Sequence, residues 1–488
     1  MATSDGNGNY VVSGIEPGRY RVSVERAGFV DQQYGAKGPS QAGSFLTLEK
    51  SQRARDITIK MTPQGVIAGR VMDDDGDPVA NATIQVLKRT YVRGRKQLVP
   101  VDNASTNDLG EYRVYGLPPG RYIVNANARR MFRGGMVQDT DQDAFAPTFY
   151  PAGASPDMAA PIEVAAGAQF RGIDVRLRKT RTVRVQGRVT GGTTTAGNRG
   201  GGGTSVSLVP KDGGGGFGMR NSSRPYNAQG EFLLNNVVPG SYILTASQFE
   251  GGKTLFARMP IEVGNSPIEG LSLQLAPGAD LRGRVKVEGS DTQTGSMRVN
   301  LVGRPGAVFG QGAGVQGGAM NPDGTFVLSN VQPENYDVRV SSVPDGGYVK
   351  SIRLGEADVT DSGLDFTNGV MAGEMTVSVA MTAAQVEGTV QNDKSEPASG
   401  VTVVLVPEGP RKESDRYYSV TSTDQTGHFT LKNLTPGEYR VYSFDNIENG
   451  AYMDPEWMLP YQGKGERVSL KDSGHETVTL KLVVAQGV

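Results

Sequence analysis

One stretch of thirteen residues occurs five times in this chain. It reads GNYVVSGIEPGRY (8–20), GEYRVYGLPPGRY (110–122), GEFLLNNVVPGSY (230–242), GTFVLSNVQPENY (324–336) and GHFTLKNLTPGEY (427–439). Its closing tyrosines, Tyr20, Tyr122, Tyr242, Tyr336 and Tyr439, fall 94 to 120 residues apart, the length of a small β-sandwich domain. Within each copy the apolar residues alternate, as they do along a strand with one buried face. In the second, Tyr112 and Val114 share a face, Leu117 closes the strand, and Tyr122, Val124 and Ala126 resume the alternation. Four copies separate their two strands with Pro-Gly, at Gly18, Gly120, Gly240 and Gly437, so a turn whose glycine takes a positive φ is expected there. The fourth carries Glu334 instead, which calls for another turn type or for strain. The five tyrosines read as tyrosine corners, with a buried ring and a hydroxyl on nearby backbone; plain core tyrosines are the other reading.

Four copies are preceded by a short strand built on Gly-x-Val: IAGRV at 67, VQGRV at 185, LRGRV at 281 and VEGTV at 386. At the same spacing, the counterpart for the first copy would fall ahead of Met1, so the first repeat lacks its opening strands. Each repeat closes on an alternating strand: ITIKM (57), IDVRL (173), LSLQL (271), VSVAM (377) and VTLKL (478). The expected fold is all-β: about five tandem seven-stranded Ig-like or transthyretin-like antiparallel β-sandwich domains, the first incomplete. The boundaries expected are 1–63, 64–180, 181–278, 279–383 and 384–488, with joints so short that a semi-rigid string follows. Glycine-rich tracts at 191–203, 213–218 and 303–318 read as loops at the sandwich ends. The helix signal is confined to a turn at 454–459.

The second repeat runs G-x-V, then G-x-P-V-x-x-A-x-V (Gly76, Pro78, Val79, Ala82, Ile84), then G-x-Y…L-x-P-G-x-Y. This resembles the carboxypeptidase regulatory-like domain, whose fold is transthyretin-like. Residues 346–366 and 448–470 are similar to segments of large multi-repeat exported bacterial proteins of that family. The resemblance implies a secreted or cell-surface location and accessory modules that carry no catalytic residues.

Side-chain chemistry is sparse. The two histidines, His428 and His475, form no H-x-x-E or H-E-x-x-H pattern, and the chain has no cysteine, so thiolate metal sites, disulfides and cysteine nucleophiles are excluded. A net charge of −1 argues against a nucleic-acid partner, and no window is apolar enough to span a membrane. GGKT at 251 lacks the first glycine of a phosphate loop, Ser247 standing in its place, and GGGGFG at 213 is only a glycine tract. Asp73, Asp75 and Asp77 alternate like calcium ligands, but Pro78 replaces the sharp-turn glycine, which favours a plain turn. Lys88, Arg89, Arg93, Arg95 and Lys96 around Tyr91 form a basic cluster, read as a solvated hairpin tip or as a surface for an anionic polymer. Tyr417, Tyr418, Tyr452, Trp457 and Tyr461 read either as a carbohydrate-stacking surface or as rings that pack a loop onto the last sandwich.

These features lead to an expectation of a non-catalytic protein with no cofactor and no metal. It would be a self-associating rod of sandwiches serving as surface scaffold, stalk or fibre; the opening strands of the first repeat either belong to sequence ahead of Met1 or are replaced by a strand from a neighbouring chain. The alternative is a carbohydrate- or peptide-binding surface module.

Overall fold

The computed structural model describes residues 1–36, 38, 43–128, 143–192, 203–211, 221–289, 296–304, 317, 320–371 and 373–485. Most of the glycine-rich tracts lie outside the described residues. The fold is all-β, an array of β-sandwiches, and the chain divides into two compact units. One comprises Met1–Gly65, Tyr91–Lys96 and Ala384–Val488, the other Val66–Thr90 and Gln97–Ala383.

In the second unit the thirteen-residue stretch crosses from one sheet to the other. Its first strand, Glu111–Leu117, Glu231–Val237 or Thr325–Val331, lies beside the Gly-x-Val strand of its own repeat. Its second, Gly120–Asn127, Gly240–Glu250 or Asn335–Ser341, belongs to the facing sheet. The Gly-x-Val strands are Gly65–Met72, Val183–Thr190 and Ala279–Val287. Each sits between the first motif strand and the closing strand, and the pairing with the closing strand is parallel. The expected antiparallel sandwich thus holds one parallel pair per repeat. Each repeat encloses its own core: Ile67, Val71, Tyr112 and Tyr122 in the second, Val185, Phe232 and Leu244 in the third, Leu281, Phe326 and Tyr336 in the fourth. Each such side chain contributes about 1.5–3 kcal/mol of burial.

In the first unit, residues 384–488 repeat this plan. His428–Leu434, Ala384–Gln391 and His475–Lys481 form one sheet, and Ser419–Ser422, Thr402–Pro407, Gly437–Phe444 and Glu466–Leu470 the other. Val386, Val403, Phe429 and Tyr439 fill the space between. His475 opens the last strand. The expected turn at 454–459 is a short helix, Pro455–Met458, whose Asp454 carboxylate accepts from the N–H groups of Glu456 and Trp457.

The first repeat departs from expectation. Residues 8–14 form no strand, and neither does ITIKM at 57–61; among the described residues only Gly18–Tyr20 with Leu46–Leu48 and two two-residue pairings reach ladder geometry. In the complete repeats these two segments flank the Gly-x-Val strand, their common ladder partner. Among the described residues the first copy shows no strand in that place.

The glycine of Pro-Gly also behaves differently from expectation. Gly18, Gly120 and Gly240 do not take a positive φ, and of the four only Gly437, at 155°, does. The left-handed residues stand elsewhere in the motif, at its first and seventh positions. The first are Gly8, Gly110, Gly230, Gly324 and Gly427, at 70° to 85°. The seventh are Gly14, Gly116, Asn236, Asn330 and Asn433, at 57° to 82°. Three residues ahead of each first glycine stands an Asn or Asp, and its backbone carbonyl accepts from that glycine's N–H (Asp5, Asn107, Asn227, Asn321, Asp424). At the seventh position the ladder register slips by one residue in repeats three to five, the signature of a β-bulge. Only Gly and Asn enter that conformation cheaply, which is why no other residue occupies it here.

Candidate functional sites

All five corner tyrosines place their hydroxyl on the carbonyl four residues earlier. Tyr20 donates to Glu16 (2.7 Å), Tyr122 to Pro118 (2.6 Å), Tyr242 to Val238 (2.8 Å), Tyr336 to Gln332 (3.2 Å) and Tyr439 to Thr435 (2.7 Å). The bond ties down the link between the two sheets. Burial pushes the Tyr122, Tyr336 and Tyr439 phenols up to about 12, with the Glu334 charge adding to the shift at Tyr336 and the Arg411 charge opposing it at Tyr439. An un-ionised phenol is what the corner needs, since only the O–H form donates. The corner glycine lies against its tyrosine's ring: a Cβ there would come 3.3 to 3.6 Å from the nearest ring atom in the first three copies. In these three copies the place admits a Cβ with little adjustment.

Glu334 uses that opening. Its side chain is only 4% exposed and its Oε1 lies 2.8 Å from Nη1 of Arg258, which is itself 25% exposed and comes from the preceding repeat. Beside it, Gln332 Nε2 donates to the Thr254 carbonyl (3.0 Å) and the Gly278 N–H donates to Asn330 Oδ1 (2.9 Å). Glu334 is not among the residues with positive φ, so the strain expected from the missing glycine does not arise. The departure from the motif is a joint between repeats.

The aromatic residues of the last repeat pack on one another. Tyr452 and Tyr461 are buried with Phe444, Val404, Val406 and Met458, and Tyr418 and Trp457 pack against them. Phe444 lies 5.4 Å from Trp457 and 5.3 Å from Tyr461, centroid to centroid. The Tyr418 hydroxyl donates to the Lys412 carbonyl, and burial pushes its phenol up to about 12. Tyr417 belongs to the inner core, with the Arg411 and Arg416 guanidinium groups over its ring. The rings form a second core on the outer face of the sheet rather than an open stacking surface. A sequence signal for this lay in VTVVLVP (401–407), apolar without alternation, since a strand apolar on both faces requires both to be covered.

The basic cluster is not a free cationic tip. Within the first unit Tyr91 is buried, Lys96 lies over its ring, and Arg93 Nε approaches Asp415 at 3.7 Å. In the second, Arg89 pairs with Asp157 at 2.8 Å. The Asp73 carboxylate accepts from the N–H groups of Asp75 and Asp77, and Lys179 Nζ lies 2.9 Å from Asp75. These acids are engaged in a turn. His428 is half-buried, and its N–H donates to Asp424. Among the described residues no group of three His, Asp or Glu side chains is placed to hold a metal, and no helix is long and apolar enough to cross a membrane.

Comparison with known proteins gives two family matches. Residues 66–133 match the carboxypeptidase regulatory-like domain, and residues 382–453 match the second β-sandwich domain of BOS complex subunit NOMO1-like proteins. No curated protein matches significantly. Solved structures similar to this chain include the Bacillus anthracis TIE protein, 10% identical over 91% of this chain and 80% of that one, with a TM-score of 0.18. They also include BcpA, the major pilin subunit of Bacillus cereus, 11% identical over 86% and 99% with a TM-score of 0.17. A third is the pilus protein RrgB of Streptococcus pneumoniae, 10% identical over 88% and 99%, also at 0.17. Motif and family match thus agree that this chain is built from β-sandwiches similar to the carboxypeptidase regulatory-like domain.

Proposed function

We propose that this is a non-catalytic extracellular structural protein, a tandem array of β-sandwich domains bounded near residues 63, 180, 278 and 383. In this reading it serves as surface scaffold, stalk or self-assembling fibre. The observation that carries the reading is the Arg258–Glu334 pair, where a corner residue of one repeat is buried against the repeat before it. In an array the contacts between neighbouring repeats add to the stability of each, so a fixed contact of this kind adds directly to the stability of the whole. Self-association follows in this reading from the first repeat, completed by a strand from a neighbouring chain. A secreted or cell-surface location suits such an array. The rival reading, a carbohydrate- or peptide-binding module on Tyr417, Tyr418, Tyr452, Trp457 and Tyr461, is weakened because these rings pack on one another.

Negative-stain electron microscopy over a concentration series tests the proposal. Ordered filaments or sheets that lengthen with concentration are expected. Isolated particles at every concentration would overturn the self-assembling reading.

A further inference from the structure

The turn ahead of strand Thr402–Pro407 in the fifth repeat is built like the turn ahead of strand Thr83–Val92 in the second. In the fifth, the Thr423 hydroxyl accepts from the Val401 N–H and donates to the Ala398 carbonyl. In the second, the Thr106 hydroxyl does the same for Ala82 and Val79. The residue before Val401 or Ala82 is left-handed in both, Gly400 at a φ of 65° and Asn81 at 57°. What covers the two turns differs. In the second repeat Asn81 and Ser105, the residue before the threonine, are exposed. In the fifth, Ser422 stands in the place of Ser105, is 1% exposed and donates to the Gly43 carbonyl at 3.1 Å. A Cβ at Gly400 would run into the Gly35 carbonyl and come 2.7 Å from Ser44 Oγ. Close by, the Thr47 N–H donates to Gln425 Oε1 at 3.4 Å. These residues of the first and fifth repeats all belong to the first compact unit.

We propose that the surface formed by Gly400, Ser422 and Gln425 is a docking site for the first repeat of the same chain, and that residues 43–48 owe their order to it. The ladder these residues enter is only three residues long, Gly18–Tyr20 with Leu46–Leu48. Two strands of that length do not hold together alone in water. The docking contacts stand at the near end of that ladder, on Gly43, Ser44 and Thr47. What the last repeat meets there is backbone, the carbonyls of Gly35 and Gly43 and the N–H of Thr47, so the partner it fits is a glycine-bearing loop rather than a side chain in a pocket. Gly400 is the specificity element. Its left-handed turn is served by Gly or Asn alike, as Asn81 shows, but only glycine leaves room for the Gly35 carbonyl. The same loop therefore fits the fifth repeat and not the second.

The test makes Gly400→Asn in the full-length chain and follows amide hydrogen exchange. Asn is the residue that the second repeat uses, so the turn keeps its left-handed conformation while the docking surface gains a side chain. Exchange across residues 43–48 is expected to quicken by roughly ten-fold or more, with Thr402–Pro407 exchanging as before. Ser422→Ala leaves the Gly400 turn as it is and removes the donor to the Gly43 carbonyl, and is expected to quicken the same segment by a smaller factor. Unchanged exchange across residues 43–48 in both variants, or a rise that extends equally through Thr402–Pro407 in both, would overturn the inference. Protection of residues 43–48 that fades as the unmodified chain is diluted would overturn it too, since the partner would then be a second copy.

Discussion

Breaking the Arg258–Glu334 pair from its two sides should give unequal costs. The oxygen and nitrogen are 2.8 Å apart, with the carboxylate 4% and the guanidinium 25% exposed. At an effective dielectric constant of about 20, charges some 4 Å apart attract by about 4 kcal/mol before desolvation is counted. Arg258→Met takes the guanidinium away from the buried Glu334 carboxylate, which costs about 3–5 kcal/mol. Glu334→Gln leaves a guanidinium that water already reaches and that keeps the Pro333 carbonyl at 3.4 Å, so about 1–2 kcal/mol is expected. The double variant should be less destabilised than Arg258→Met alone, because it no longer buries a carboxylate away from its guanidinium. A chain of several cores does not unfold in one two-state step, so the readout should be local. Amide exchange across Lys253–Val263 and Asn335–Ser341 measures opening of the two partners at the joint. Equal single effects, or a double effect equal to their sum, would show that the carboxylate is not held by this charge and would refute the reasoning.

Three further outcomes follow from the geometry. At Asn236, exposed and at a φ of 57°, Gly should be close to neutral, Ala should cost about 1 kcal/mol and Val about 2, read as faster exchange of Glu231–Val237; no ranking among the three would refute a bulge requirement. The Tyr122, Tyr336 and Tyr439 phenols, raised to about 12 against about 10 in the unfolded chain, keep their proton in the native state while the unfolded state loses it. Their contribution is fully present below pH 10 and declines by about 1.4 kcal/mol per pH unit per tyrosine as pH rises toward 12. Tyr122→Phe should cost about 1 kcal/mol at neutral pH and flatten the alkaline loss of the second repeat, measured by urea unfolding at both pH values. Trp457→Ala should cost about 2–4 kcal/mol in the last repeat by exposing Phe444 and Tyr461, seen as altered near-ultraviolet circular dichroism and a lower urea midpoint. Unchanged stability would show that the indole does not pack.

The repeat and the alternation made the strands of the four complete copies legible, because periodicity of two and a recurring corner are local facts. The joint was not, since nothing in residues 324–336 says that the preceding repeat carries Arg258 at the matching height. The aromatic cluster was half legible: Trp457 and Tyr461 read as loop residues, but VTVVLVP already required a cover for its second face. The first repeat misled in a different way. Its alternating segments carry the right pattern, yet a strand exists only where a ladder partner does, and alternation cannot report on a partner. The conformational requirement was placed on the wrong glycine because Pro-Gly is a familiar turn signal, whereas Gly or Asn at the seventh position shows only when all five copies are aligned.

That last error explains how one motif both repeats and diverges. At the first and seventh positions the backbone must turn left-handed, so the copies allow only Gly at one and Gly or Asn at the other. The glycine after proline faces no such demand in three of its four copies, where φ is not positive and a Cβ would come 3.3 to 3.6 Å from the ring beside it. A side chain placed there projects from the corner joining the two sheets, and in the fourth copy the preceding repeat meets it. Glu334 therefore gains a partner on Arg258 without disturbing the Tyr336 hydroxyl, which still closes on Gln332. The corner itself is independent of the contact made over it. Joints between repeats can thus vary in sequence while the sandwich fold they connect stays the same.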